Sequence, residues 1–67
     1  MTLHPVNSSR IRAAGWENNT LRVEFTSGHT YDYADVPQWK YAALIQSSSP
    51  GKYLGENIVG QHEHERL

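Results

Sequence analysis

Leu21-Arg22-Val23-Glu24-Phe25-Thr26-Ser27-Gly28-His29-Thr30-Tyr31-Asp32-Tyr33-Ala34-Asp35-Val36-Pro37 decides the fold of this chain. Its first third alternates. Leu21, Val23 and Phe25 are apolar while Arg22, Glu24 and Thr26 are polar, the period of two of a strand with one buried face. One-sided burial favours an antiparallel sheet. The length of the loop around Gly28 then sets the face of the tyrosines, because one extra residue flips every later side chain. A two-residue Ser27-Gly28 loop would leave Tyr31 and Tyr33 outside with Arg22 and Glu24. A three-residue Thr26-Ser27-Gly28 loop, with Gly28 in the left-handed position of a bulge, pairs Val23 with Tyr31 and Leu21 with Tyr33 and turns both rings inward. Ser is a poor first residue for the primed two-residue turn and Gly suits the third loop position, so the longer loop is the expected one.

Outward from this hairpin, Glu17-Asn18-Asn19 reads as a turn, since Asn tolerates positive φ, and it joins a first strand over 8–16 to a second over 20–26. Residues 1–7 read as an extended arm, because Pro5 lacks an amide donor and biases His4 away from helix. On the other side, Asp35 is placed to cap the amide of Gln38, and Val36-Pro37 opens a helix over 36–46. Val36, Trp39, Tyr41, Ala43, Leu44 and Ile45 follow helical spacing and form a broad apolar stripe. Ser49 before Pro50 is a second cap, opening a short helix in which Tyr53, Leu54 and Ile58 share a side. Residues 61–67 are polar and are expected to be a flexible tail. The fold expected is α+β: a three-stranded antiparallel β-meander followed by two C-terminal helices packed on one face.

The 67 residues make a single domain over 1–67, and a chain this short buries only about 60% of the surface its unfolded form exposes. With no Cys there is neither a disulfide framework nor a thiolate metal site, which fits a reducing cytoplasm. No apolar run approaches the roughly 18 residues of a membrane span, so a cytoplasmic protein without a membrane partner is expected. The net charge of -1 gives the whole molecule no long-range pull on nucleic acid, and such binding would need a local patch.

Further landmarks are Val6-Asn7-Ser8-Ser9 with Ile11, Gly15-Trp16, and Leu21, Val23, Phe25 and Gly28. Tyr31-Asp32-Tyr33, Val36-Pro37, Ser49, Gly51-Lys52-Tyr53 and Ile58 complete them. In this order and spacing they resemble the KTSC domain, a module found alone in bacterial and phage proteins and at the C-terminus of some lysyl-tRNA synthetases. The triplet matches that family's central Tyr-x-Tyr, with Val36-Pro37 following it. The resemblance spans almost the whole chain and implies a link to RNA through the synthetase setting. Leu54 stands where the family usually has an aromatic and Val59 where a basic residue is common.

The candidate sites are few. Arg10 and Arg12 on the first strand flank Arg22 on the second, and together they could hold phosphates on the outer sheet face, which Glu24 and Asp32 share. Tyr31 and Tyr33 could stack on bases only if their face were open; otherwise they and Val36 and Pro37 are structural. Trp16 and Trp39 are large for so small a core and are candidate interface anchors. His62 and His64 could take zinc or nickel, but two ligands do not close a site. The serines lack a nucleophile-elbow setting, and Gly51-Lys52 lacks the glycine and hydroxyl of a phosphate loop. No catalytic residue, metal or cofactor is assigned. The expected function is a small non-enzymatic binding module, directed at RNA through the Arg-bearing outer face; the alternative is a protein-protein interaction module.

Overall fold

The computed structural model describes all 67 residues as one sheet with two helices on one face. Strands β1 (His4–Pro5), β2 (Ile11–Glu17), β3 (Thr20–Phe25) and β4 (Thr30–Tyr33) are followed by α1 (Gln38–Gln46), α2 (Pro50–Asn57) and β5 (His64–Arg66). The sheet has five strands in the order β1-β2-β3-β4-β5, all pairs antiparallel.

The central hairpin has the expected register. Leu21 lies opposite Tyr33 and Val23 opposite Tyr31. The loop is Thr26-Ser27-Gly28, closed by the Phe25 N–H donating to the His29 carbonyl at 2.8 Å, and Gly28 has φ 101°. The β2–β3 turn is tighter than the sequence suggests. Only Asn18 and Asn19 lie between the paired Glu17 and Thr20, both left-handed at φ 52° and 63°, the geometry of a two-residue primed turn.

The sheet differs from the expected meander at both ends. The arm contributes β1, pairing His4 with Ala14 and Pro5 with Ala13. Residues 64–66, expected within the flexible tail, form a strand: β5 pairs with β4, His64 opposite Tyr33 and Arg66 opposite Tyr31. The reason is backbone, since the outer N–H and C=O groups of β4 need partners wherever water is shut out. The Ala34 N–H donates to the Glu63 carbonyl and the Leu67 N–H to the Thr30 carbonyl, each at 2.8 Å.

The helices also start differently. Asp35 is left-handed at φ 55°, and the Val36 N–H donates to the Asn19 carbonyl at 2.8 Å. Val36 is thereby tied to the β2–β3 turn and α1 begins at Gln38, with Pro37 as an N-cap that lacks a side-chain bond. The Asp35 cap is absent. Ser49 does occupy the N-cap position of α2, with Pro50 following, yet its hydroxyl makes no capping bond.

The core is formed by Ile11, Ala14, Leu21, Val23 and Tyr33 from the sheet with Val36, Leu44, Leu54 and Ile58 above them. Leu44 is the one buried residue of α1. Trp39 and Ile45, expected on the buried stripe, are exposed. The sheet needs only a narrow strip of so short a helix, so Trp39 and Ile45 point to solvent while Tyr41 packs against the core's edge.

Candidate functional site

A β-bulge decides where the arginines go. Ile11 pairs with Phe25 but Ala13 pairs with Glu24, which makes Arg12 the extra residue. Such an insertion bends its strand and re-aims a side chain. Arg12 reaches toward Glu24, with 3.9 Å between Nη1 and Oε2. Arg22, in regular register on the outer face, is paired: Nε and Nη2 donate to the two Asp32 carboxylate oxygens at 2.7 and 2.9 Å. This fork-to-fork bond holds the Arg22 pKa above its usual value and sets a carboxylate against the charge that a phosphate would need. Arg10 lies before β2, and its aliphatic stem crosses Gly51 at the start of α2. The three arginines therefore do not form one patch on the outer face.

That face is also partly covered. A side-chain carbon on Gly15 would lie 2.5 Å from the Thr2 carbonyl oxygen and 2.9 Å from Leu3 Cδ2, so the arm lies directly over β2. The N-terminal ammonium reaches Glu17 at 3.9 Å.

The aromatic candidates separate into anchored and free. Tyr33 is 3% exposed, and burial pushes its phenol pKa up. Tyr31 is half-buried, stacked on the His64 ring at 5.6 Å and edge-on to Phe25 at 5.8 Å. The Trp16 indole N–H donates to the Val36 carbonyl at 2.7 Å, joining strand to helix start. Trp39 is 66% exposed.

His62 is not a tail ligand. Its Nδ1 lies 2.9 Å from the Ala34 carbonyl oxygen, and Nε2 lies 2.9 Å from Lys40 Nζ. A carbonyl can only accept, so Nδ1 carries the proton and Nε2 accepts from the ammonium. Lys40 Nζ also donates to the Asn57 carbonyl at 3.1 Å, which ties α1 to the end of α2. His64 is held by its stack on Tyr31. No three His, Cys, Asp or Glu residues converge as a metal site.

Arg10 and Lys52 meet elsewhere. They line a cleft of about 550 Å³ with Asn7, Ser8, Ser9, Ser48, Ser49, Pro50 and Gly51. No carboxylate lines it, and neither cation has an ion-pair partner. Ser8 Oγ accepts from the Arg10 and Ile11 N–H groups at 3.1 and 3.3 Å, which fixes the bend that brings Arg10 to α2. A visible signal was the repetition of paired serines ahead of a cation, Ser8-Ser9-Arg10 and Ser48-Ser49-Pro50-Gly51-Lys52. Chain order gives no hint that the two segments touch.

Comparison with known proteins agrees with this architecture. A solved crystal structure of a KTSC domain protein from Yersinia pestis superposes with a TM-score of 0.92 at 29% identity, covering 98% of this chain and 96% of that one. A protein of Tsukamurella paurometabola is 37% identical over 54 residues, 78% of this chain and 81% of its own length. An uncharacterised protein of Stutzerimonas stutzeri is 36% identical over 59 residues, covering 85% and 83%. A lysine–tRNA ligase of Nostoc is 38% identical over 61 residues, 88% of this chain but 11% of the ligase. The family model of the KTSC domain matches residues 7–62, a span that runs from the cleft's first residue to the histidine bonded to Lys40 and takes in the whole core. The chain belongs to the KTSC domain family.

Proposed function

We propose that this domain is a non-enzymatic module that binds RNA through its phosphates, with Arg10 and Lys52 holding the strand at their shared cleft and Arg12, aimed separately toward Glu24, giving a further contact. The observation that carries this reading is the disposition of the cations. Arg22 is consumed by Asp32 and Lys40 by internal bonds, whereas Arg10 and Lys52 face one acid-free cleft. Arg12, 58% exposed and loosely paired with Glu24, stands a short distance along β2. Similarity to a segment of a tRNA ligase supports an RNA partner. A non-enzymatic role is supported by the commitments of the reactive residues. Ser8 and Ser47 accept backbone N–H bonds, and both ring nitrogens of His62 are engaged.

The test is a titration of labelled single-stranded and structured RNAs at several salt concentrations. Three phosphate contacts at about 0.7 released counterions each give a slope near 2, a loss of roughly twentyfold between about 50 and 200 mM salt. Absence of binding at low salt, or an Arg10/Arg12/Lys52→Ala variant that binds like the parent, would end the RNA reading. A protein-interaction role is the second reading, favoured by Trp39, which is 66% exposed. It requires a complex insensitive to salt and abolished by Trp39→Ala.

A further inference from the structure

The cleft between residues 7–10 and 48–52 has a composition that specifies more than a general affinity for nucleic acid. Of its nine lining residues none is aromatic or aliphatic apart from Pro50, so no surface is present on which a base could stack. Its charge comes from Arg10 and Lys52 alone, one from each wall, with no acid to offset them. Ser9, Ser48 and Ser49 are exposed, and the cleft's other hydroxyl, Ser8, uses its oxygen as an acceptor, leaving its proton free to donate. The walls are thus rich in donors and carry two positive charges.

From this we infer that the cleft is a binding pocket for a phosphomonoester dianion, with Arg10 and Lys52 balancing its two charges and the serine hydroxyls donating to its oxygens. The charge count selects the monoester. A monoester carries about -1.5 to -2 near neutral pH, whereas an internal backbone phosphate carries a single charge and would leave one cation unmatched. The planar fork of Arg10 suits two phosphate oxygens, and Lys52 acts as a point charge. This inference deepens the RNA reading and rests on it for the source of the ligand: the phosphorylated end of a strand.

The experiment follows backbone amide chemical shifts of the full chain during titration with inorganic phosphate at low ionic strength. Saturable shifts confined to Ser9, Arg10, Gly51 and Lys52 are expected. An Arg10→Gln/Lys52→Gln variant, altered only at exposed side chains, should retain the parent spectrum elsewhere and bind at least about tenfold more weakly. Lowering the pH to about 5.5, where phosphate becomes largely a monoanion, should weaken phosphate severalfold while sulfate, a dianion throughout, binds as before. Absence of shifts in the cleft, or equal weakening of sulfate, would overturn the assignment. A second arm compares one oligoribonucleotide with a 5′-phosphate and with a 5′-hydroxyl. The pocket requires tighter binding of the phosphorylated strand and loss of that preference in the variant. Equal binding of both strands overturns the monoester assignment and leaves the RNA reading in place. Saturation of the cleft by phosphate with no binding of either strand overturns the RNA reading and keeps the pocket.

Discussion

Replacing Gly15 with Ala tests the placement of the arm on the sheet. The new methyl carbon would sit 2.5 Å from the Thr2 carbonyl oxygen, 2.9 Å from Leu3 Cδ2 and 3.3 Å from Met1 Cγ. The first of these is backbone and cannot rotate away. One partner must move, and it is the arm, because β2 is paired along its length with β3 and carries fully buried Ala14 beside the substitution. Detachment exposes the half-buried Leu3 and the part of Met1 that rests on the sheet. Full burial of one such side chain stabilises by about 1.5 to 3 kcal/mol, so two partly buried ones are worth roughly 2 kcal/mol together. Ala regains about 0.5 to 1 kcal/mol over Gly within a strand. The net cost is about 1 kcal/mol, a fall in Tm of about 4 to 8 °C for a domain of this size. Thermal unfolding measures this, and faster amide exchange at Val6, whose N–H donates to the Arg12 carbonyl at 3.1 Å, reports the lifted arm. A chain starting at His4, released from a cleavable fusion, closes a double-mutant cycle. In that background Gly15→Ala should be neutral or stabilising. An equal penalty with and without residues 1–3 would refute the reasoning.

Alkaline stability should depend on Tyr33, whose phenol pKa is raised by burial. The folded state binds this proton more tightly than the unfolded chain, so the contribution is complete below the unfolded value of about 10 and is lost as the pH rises through the folded one. Tyr33→Phe should flatten the alkaline limb of a Tm-against-pH profile, and an unchanged limb would mean that the phenol is not desolvated. Ser49→Ala should leave stability within about 0.5 kcal/mol of the parent, below the usual loss for a cap, since its hydroxyl makes no capping bond; chemical denaturation decides. Asn19→Ala should cost about 1 to 2 kcal/mol in the same assay, because Asn19 is left-handed at φ 63° and Ala pays the full steric cost there.

The hairpin was legible because its determinants are local. Alternation over residues 21–25 fixed the inner face, and Gly28 set the loop that carries Tyr31 and Tyr33 to the same side. The outer strands were not legible. His64, Glu65 and Arg66 are all exposed and show no apolar alternation, since what recruits them is the unpaired backbone of β4, a property of a distant segment. The arginine face misled for a related reason. Strict alternation along the first strand predicts Arg10 and Arg12 beside Arg22, and the bulge at Arg12 breaks it. Asp32 was placed on that face by the sequence pattern, but the two bonds that occupy Arg22 depend on a directly opposed register. The cleft escaped notice because its walls lie about forty residues apart in the chain.

The two short outer strands also govern how copies of this domain behave toward one another. An open sheet row of N–H and C=O groups is a template on which a second molecule can pair, and long flat apolar rows lead to aggregation. Here one border ends in Pro5, which has no N–H to offer, and the other in His64, Glu65 and Arg66, short and charged. Removal of residues 62–67 would bare the β4 row beside Tyr31 and Tyr33, and the harm would fall on solubility before it fell on the core. A short, charged outer strand of this kind works against edge-to-edge pairing of copies of a small sheet-rich chain.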